Sequence, residues 1–195
     1  MNTIRYYVAL ILVILFLPTL LSWLLIHPFI RFWRQLGPGW TYGLVGVLMA
    51  LGAAGIFRLR HLLLAVEFGT SYPLLALGLA LLAASTWLGF RVWRRLSLLT
   101  LLGLPELAPT KHPERLITEG VYTTIRHPRY VQLYLGLLGS AFIANYLALY
   151  LVTALWLPGL YVIVLLEEKE LRDRFGPAYD DYCRRVPRFV PRLTL

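Results

Sequence analysis

The stretch from Arg126 to Tyr130 places a histidine, a proline and a tyrosine directly before a long apolar run. Proline is favoured in the first turn of a helix, where the backbone N–H groups have no intrahelical partners. We therefore expect a membrane helix to begin at His127 or Pro128. Such a start attracts anionic or polar ligands, and His127 and Tyr130 would stand beside it. The arginines, Arg126 and Arg129, can also simply hold the helix end at the membrane surface.

The end of the last apolar run carries a second group of candidates, beginning with the pair Glu167 and Glu168. Glu168 precedes Arg172 by four residues, and the next acid along, Glu170, has the same spacing to Arg174. Such acid-first pairs stabilise a helix, so they can serve only to solvate its exit from the membrane. Glu167 lacks such a partner and lies closest to the apolar run. A carboxylate at that depth is costly, which makes it a functional candidate.

The elements that must position these side chains are apolar helices. The apolar runs are Tyr6 to Ile26, with Pro18 as a predicted kink, Trp40 to Phe57, Pro73 to Phe90, and Tyr130 to Leu166. The last run is long enough for two spans, since one helix needs about 20 residues to cross a bilayer. Asn145 lies near its middle and predicts the tip of a hairpin. The sequence therefore predicts an all-α integral membrane protein with about five transmembrane helices, of which the last two are short and paired.

We expect a single membrane domain over residues 1–195, with three helices in 1–104 and a polar loop, the hairpin and a tail in 105–195. Three prolines between positions 105 and 113 exclude a continuous helix there, so the loop should be extended and rich in turns. In the tail, Gly176 and Pro177 end a helix. A short amphipathic turn with Phe175, Tyr179 and Tyr182 follows, and the V-P-R-F-V-P end should lie extended across the membrane interface.

Composition supports this reading and excludes several others. The chain is 58% hydrophobic with a formal net charge of +9, and the mean hydropathy is +0.66. The charges form short clusters between apolar runs, as in cytoplasmic loops of membrane proteins, so nucleic acid is not an expected partner. The single cysteine, Cys183, forms no internal disulfide, and no histidine or cysteine cluster predicts a metal site. No glycine-rich phosphate-binding loop is present.

The distribution of basic residues predicts the orientation in the membrane. Seven Lys or Arg residues lie in 91–129 and seven in 167–195, whereas the hairpin tip has none. Basic loops face the cytoplasm, so both segments should lie there, in the inner membrane if the source is a prokaryote. Arg58 and Arg60 then fall on the outer side, which is a mild conflict. Aromatic residues at the helix ends are expected to anchor the interface: Tyr6, Tyr7, Trp23, Trp33, Trp40, Trp87 and Trp93.

Two segments together resemble a known family. The segment "GVYTTIRHPRYVQLYLGLLG", followed by "EEKELRDRFGPAYDDYCRRVPRFVP", is similar to the C-terminal half of the isoprenylcysteine carboxyl methyltransferases. That family belongs to a wider group with phospholipid N-methyltransferases and small-thiol methyltransferases. The resemblance covers roughly residues 114–191, and the first three helices match only in hydrophobicity.

The resemblance implies an integral membrane methyltransferase that uses S-adenosylmethionine, with a cytoplasmic-side cofactor pocket formed by the loop, the hairpin and the tail. The loop would contact the cofactor largely through its backbone, and the helix start through its side chains. Glu167 would hold a polar or cationic part of the cofactor. The implied cofactor-binding residues are Glu114, Arg115, Leu116, Ile117, Tyr122, His127, Pro128, Arg129, Tyr130 and Glu167. No catalytic residue on the protein is implied, because in-line methyl transfer mainly needs positioning.

The resemblance leaves the methyl acceptor open. In the carboxyl methyltransferases an arginine one helical turn before the key glutamate helps to bind the substrate, and here that position is Ile163. We therefore expect a lipophilic or small acceptor, whose methylated group is a carboxylate, an amine or a thiol. Two other readings also stand. Membrane sterol reductases, which use NADPH, have a similar "YDDYCRRVP"-like tail, and a non-catalytic membrane protein could retain the fold.

Overall fold

The computed structural model describes residues 2–96, 100, 104–108 and 115–192, and almost all of its regular structure is helical. The long helices are α1 (Asn2–Ile26), α3 (Pro38–Arg58), α5 (Tyr72–Trp93), α7 (Pro128–Ala144) and α8 (Leu147–Phe175). Shorter ones are α2 (Ile30–Leu36), α4 (Arg60–Leu63), α6 (Leu104–Leu107) and α9 (Pro177–Arg185), with a 3-10 turn at Gly120–Thr123.

Within the described ranges, four helices are long and apolar enough to cross a membrane, namely α1, α3, α5 and α8. Together with α7, they form the predicted multi-pass helical arrangement. The expectation that both hairpin helices are short is wrong for the second. The 17 residues of α7 span about 25 Å, whereas the 29 residues of α8 span about 43 Å. The excess length of α8 includes its charged end, which begins at Glu167. Both α1 and α8 continue through an internal proline.

The predicted start and end of α7 are confirmed. The helix begins at Pro128, with His127 as the N-terminal flanking residue. It ends at Asn145, which adopts the left-handed conformation with a φ of 57° and donates its backbone N–H to Ala141 at 2.8 Å. Asparagine tolerates this conformation better than most residues. The chain therefore reverses within two residues into α8.

α5 packs closely against α7 because glycines face each other across the contact. A Cβ at Gly78 would lie 2.6 Å from the carbonyl oxygen of Gly139, and a Cβ at Gly139 would lie 2.8 Å from the carbonyl oxygen of Gly78. Two turns further along α5, Ser85 donates a hydrogen bond to the carbonyl oxygen of Gln132 at 2.8 Å. Small residues at such a contact let helix backbones approach in lipid. This contact fixes the position of the α7 start relative to α5.

A buried polar cluster ties the hairpin tip to the start of the chain. Arg5, which is 4% exposed, forms an ion pair with Glu67 at 2.8 Å and donates to the carbonyl oxygen of Ala144 at 2.9 Å. The Tyr146 hydroxyl donates to Glu67 at 3.2 Å. The cluster gathers α1, the 64–71 loop and the hairpin tip at one end of the bundle. The ends of α3 and α4 that carry Arg58 and Arg60 lie on this side, opposite the acidic end of α8.

One of the predicted interface anchors, Trp33, is buried inside the protein instead, and a second, Trp23, is half-buried. Trp33 is 5% exposed, and its ring N–H donates to the carbonyl oxygen of Leu25 at 3.1 Å. Trp23 packs against the rings of Tyr130 and Trp156. The prediction failed because hydropathy does not distinguish an aromatic ring that faces lipid from one that faces a neighbouring helix. Trp40, Trp87 and Trp93 are exposed, as interface anchors require.

Candidate functional site

A pocket lies at the end of the bundle opposite the hairpin tip. The end of α1, the 115–122 loop, the start of α7, the acidic end of α8, and α9 all contribute to its wall. Nine of the ten predicted cofactor-binding residues line it, and the tenth, Glu114, lies outside the described residues. The nine are Arg115, Leu116, Ile117, Tyr122, His127, Pro128, Arg129, Tyr130 and Glu167. The fold therefore brings together two segments that are about 40 residues apart in sequence.

His127 lies at the centre of the pocket wall with only 4% of its side chain exposed. Its two ring nitrogens face the two neighbouring acids of α8. Nε2 lies 3.1 Å from Oε1 of Glu168, which is hydrogen-bond distance. Nδ1 lies 3.7 Å from Oε2 of Glu167, which is too long for a direct hydrogen bond. The ring of His127 therefore lies between the two acids, with the buried Glu168 on its Nε2 side and the pocket-lining Glu167 on its Nδ1 side.

Glu168 is fully buried, and the prediction that it merely solvates the end of α8 is wrong. Its carboxylate accepts hydrogen bonds from Arg126 Nη2 at 2.8 Å and from Arg188 Nε at 2.9 Å and Nη2 at 2.7 Å. The predicted partner, Arg172, also lies within ion-pair distance at 3.5 Å. A buried carboxylate is tolerated only when it is paired in this way. Glu168 is therefore the anchor that joins α8, the α7 start and the tail.

The charge of Glu168 also holds its arginines in the ionised form. The hydrogen bond to Glu168 is the main reason why the pKa of Arg188 is raised above its usual value. Burial acts to lower the pKa of Arg126, but the hydrogen bond to Glu168 and its charge outweigh that effect, so this pKa is also raised. The cluster therefore remains ionic across the physiological pH range.

The extended tail pairs with the start of α7. The backbone N–H of Arg126 donates to the carbonyl oxygen of Pro187 at 2.9 Å, and that of His127 donates to Arg188 at 3.1 Å. Pro187 and Pro191, which lie on either side of Arg188, keep this segment extended and available for such pairing. The ring of Phe189 then lies 6.0 Å from the ring of His127. The tail is thus part of the pocket's support.

Glu167 has the features expected of a ligand-binding acid. Its side chain is 26% exposed and lines the pocket. Its Oε2 is buried and accepts no hydrogen bond from any residue in the described ranges. A buried acceptor without a donor costs about 1–3 kcal/mol. The pocket therefore offers a buried carboxylate oxygen without a donor at its inner wall.

The loop that precedes α7 is held in place from the tail side. Gly120 begins the 3-10 turn with a φ of 65°, a conformation that side chains disfavour. Tyr122 follows, 9% exposed, and its carbonyl oxygen accepts a hydrogen bond from the Tyr182 hydroxyl at 2.7 Å. Burial raises the pKa of Tyr182 to about 12, so this hydroxyl keeps its proton. Leu116 packs against the cluster formed by Tyr179, Tyr182 and Val186.

Aromatic rings and one further cation complete the wall. Trp23 meets Tyr130 edge to face, with ring centroids 5.9 Å apart. The guanidinium of Arg129 lies 5.9 Å from the centroid of the Trp23 ring. At the rim, Glu170 forms an ion pair with Arg34 of α2. Glu170, the acid of the second predicted acid-first pair, thus contacts a different helix, and this contact ties α2 to the pocket.

Sequence reasoning missed several residues of the site. Arg126 was assigned to topology, Glu168 to solvation, and Arg188 to an extended end. His27, at the end of α1, lines the pocket without any sequence signal; burial lowers its pKa, and the carboxylate of Glu167 opposes that shift. For Arg188, the sequence did contain one indication: this arginine lies between Pro187 and Pro191, with no acidic residue near it in the sequence.

The fold and pocket define a multi-pass helical membrane protein with a partly polar pocket at one end of its bundle. The family model described as phospholipid methyltransferase matches residues 73–178, which include α5, the hairpin and the start of α9. The chain belongs to this family. The match begins beyond α1 and α3, but it includes almost all of α5. The expectation that the first three helices resemble the group only in hydrophobicity is therefore wrong for the third.

Three curated proteins are each similar to about two fifths of the chain. A nickel-cobalt-cadmium resistance protein of Alcaligenes xylosoxydans xylosoxydans is 39% identical over 80 residues, covering 41% of this chain and 38% of that protein. A cobalt-zinc-cadmium resistance protein of Cupriavidus metallidurans is also 39% identical over 80 residues, covering 41% and 37%. Protein-S-isoprenylcysteine O-methyltransferase of Schizosaccharomyces pombe is 30% identical over 79 residues, covering 40% and 34%.

The chain therefore aligns with a little over a third of the length of each of these relatives. No solved structure matches it.

Proposed function

We propose that this protein is an integral membrane methyltransferase that transfers a methyl group from S-adenosylmethionine to a lipophilic acceptor. One observation carries the proposal. The pocket at the end of the bundle gathers the R-H-P-R-Y helix start and Glu167, and that acid presents a buried oxygen without a donor. Membership of the phospholipid methyltransferase family supports the same reaction class.

The residues of the pocket fit this cofactor. S-adenosylmethionine supplies an electrophilic methyl group on a sulfonium and also carries an ammonium, a carboxylate and an adenosine. Glu167 and His127 offer acceptors for the ammonium. Arg115 and Arg129 line the same pocket and suit a carboxylate. The rings of Trp23 and Tyr130 suit either the adenine or the cationic sulfur.

The chain's own residues would contribute mainly position and exclusion of water. In-line transfer is accelerated when donor and acceptor are held at the reacting distance. The Glu168 cluster fixes His127 and the tail, and Tyr182 fixes the Tyr122 loop, so the pocket wall is set before a ligand enters. A wall of rings and aliphatic groups strengthens the electrostatic interactions inside. No protein nucleophile is required.

An apolar groove beside the pocket supports the proposal that the acceptor is lipophilic. It is lined by Tyr130, Val131, Tyr134, Leu135, Leu157, Pro158, Leu160, Tyr161 and Phe189. Tyr130 lines both the groove and the pocket, so a chain that lies in the groove would bring its head group beside the cofactor. Ile163, where the carboxyl methyltransferases have an arginine, is fully buried. We therefore favour an acceptor other than a prenylated cysteine carboxylate, with an amine or a thiol among the candidates.

The orientation belongs to the proposal as well. The pocket lies at the end of the bundle that holds both strongly basic segments, and basic segments face the cytoplasm. Bound S-adenosylmethionine would then be taken directly from the cytoplasmic pool.

A binding titration with the purified protein in detergent tests the proposal. S-adenosylmethionine and S-adenosylhomocysteine should bind, and NADPH should not. Binding of NADPH alone would favour a membrane reductase. Binding of none of the three would leave a protein that has the fold without the activity. Transfer of a labelled methyl group to extracted lipids, and to small amines and thiols, then identifies the acceptor.

A further inference from the structure

Glu168 has no place in the proposed function as a ligand contact, because it is fully buried. Its carboxylate faces three arginines, namely Arg126 at 2.8 Å, Arg188 at 2.7 Å and Arg172 at 3.5 Å. Surrounded by these cations it is ionised, and an ionised carboxylate can only accept hydrogen bonds. The 3.1 Å contact with Nε2 of His127 therefore requires that Nε2 carries the proton.

The proton on Nε2 decides what the opposite face of the ring presents. A neutral imidazole with a proton on Nε2 has a lone pair on Nδ1. This nitrogen lies 3.7 Å from Oε2 of Glu167, which accepts no hydrogen bond from any residue in the described part of the chain. The pocket wall thus holds two neighbouring acceptors. One nitrogen donor placed about 2.9 Å from each would satisfy both.

From this geometry we propose that Glu168 is a positioning residue that fixes the tautomer of His127, so that Nδ1 and Glu167 together bind an ammonium group. The inference rests on the proposed function, in which the ammonium belongs to the amino-acid part of S-adenosylmethionine. A carboxylate is disfavoured at this place, because it would face the two acceptors Nδ1 of His127 and Oε2 of Glu167. The amino-acid part therefore enters the pocket with its ammonium towards α8 and its carboxylate away from it.

The first test measures the tautomer in the wild-type protein. Nitrogen-15 NMR of histidine-labelled protein, with His127→Gln used to assign the signal, reports the protonation of each ring nitrogen. We expect a protonated Nε2 and an unprotonated Nδ1 at neutral pH. The opposite tautomer, or an imidazolium protonated on both nitrogens, would overturn the proposal.

The second test measures recognition of the amino group. S-adenosylhomocysteine is compared with its analogue in which hydrogen replaces the amino group, and with methylthioadenosine, which lacks the amino-acid part. The wild-type protein should prefer S-adenosylhomocysteine over the analogue by about tenfold to a hundredfold, the range for a hydrogen bond to a charged group. Glu168→Gln removes the charge that holds the Nε2 proton, and should reduce that preference at least about fivefold while methylthioadenosine affinity changes less than about twofold.

A merely structural role for Glu168 would weaken all three ligands alike, so the change in preference is the informative result. An unchanged preference in folded Glu168→Gln would refute the positioning role. If Glu168→Gln does not fold, three other results test the proposal. These are the wild-type preference for S-adenosylhomocysteine over the analogue without the amino group, the loss of that preference in Glu167→Gln, and the NMR signal of His127. If no adenosine compound binds wild-type protein, the proposed function fails and this inference fails with it. If all three bind equally, only this inference fails.

Discussion

Arg188 and Glu168 form a two-pronged ion pair, in which Nε and Nη2 of the guanidinium donate to the two carboxylate oxygens at 2.9 and 2.7 Å. This geometry is the strongest that an arginine offers a carboxylate. It links the tail to α8, and the adjacent backbone hydrogen bonds link the same tail segment to the start of α7. The pocket wall therefore depends on a residue that lies beyond the last helix.

Arg188→Ala should release the tail and weaken the protein. Glu168 would keep its contacts with Arg126 and His127 but would lose both hydrogen bonds from Arg188. The free energy of unfolding should fall by about 2–3 kcal/mol, the cost of losing hydrogen bonds to a charged group. Thermal unfolding in detergent measures the loss, and proteolysis at the tail should become faster. The matched control is Arg192→Ala, since Arg192 is exposed and makes one long contact to a backbone carbonyl. Equal stability of the two variants would contradict this account.

Glu167→Ala and His127→Ala should each weaken binding of S-adenosylmethionine by about tenfold or more, because each removes one acceptor from the inner wall. Arg94→Ala serves as the control, since Arg94 is exposed on the surface of α5 and its guanidinium lies over the ring of Phe90. A titration of each variant gives the dissociation constant. If all three bind like the wild type, the ligand site lies elsewhere.

Tyr182→Phe should destabilise the loop that carries Tyr122 by about 1–2 kcal/mol, because a buried carbonyl oxygen would lose its donor. The pH dependence has a definite sign. The pKa of Tyr182 is raised to about 12 in the folded protein, whereas an unfolded tyrosine titrates near 10. The hydroxyl therefore contributes stability below pH 10 that is lost as the pH rises towards 12. Burial also raises the pKa of Tyr179, so unfolding curves of Tyr182→Phe should show a smaller alkaline loss than those of the wild type and of the exposed control Tyr72→Phe, rather than none.

Gly139→Ala should force α5 and α7 apart. The added methyl group would meet the carbonyl oxygen of Gly78 at 2.8 Å, and overpacking of this kind costs about 1–3 kcal/mol. Gly46→Ala is the control, because nothing lies within 4 Å of its Cβ position. We expect a lower unfolding temperature for Gly139→Ala alone. A similar loss in both variants would indicate a general intolerance of alanine rather than a close helix contact.

Single cysteines should report the orientation in the membrane. In a Cys183→Ser background, Leu62→Cys and Arg184→Cys place thiols at positions that are 76% and 72% exposed. A membrane-impermeant maleimide applied to intact cells should label the first and not the second. Permeabilised cells provide the control, since both should then react. The reverse pattern would place the pocket outside the cytoplasm.

The sequence by itself determined the membrane class, the hairpin and the helix start. These features depend on local physics. A long uncharged run must be helical in lipid because its backbone groups can only be satisfied internally. Pro128 marks where a helix begins, and Asn145 tolerates the left-handed turn that reverses the chain. Nine residues that line the pocket were also predicted from the sequence. Local features pointed to His127, Tyr130 and Glu167, and the resemblance added the others.

Only the tertiary structure decided the roles of the neighbouring acids of α8. In sequence, Glu167 and Glu168 are alike, and spacing assigned the second to solvent. Successive residues on a helix lie about 100° apart, so one acid faces the pocket while the other faces the tail. The tail and Arg126 then convert Glu168 from a surface charge into a fully buried one. That burial depends on contacts between residues far apart in the chain, which no local pattern records.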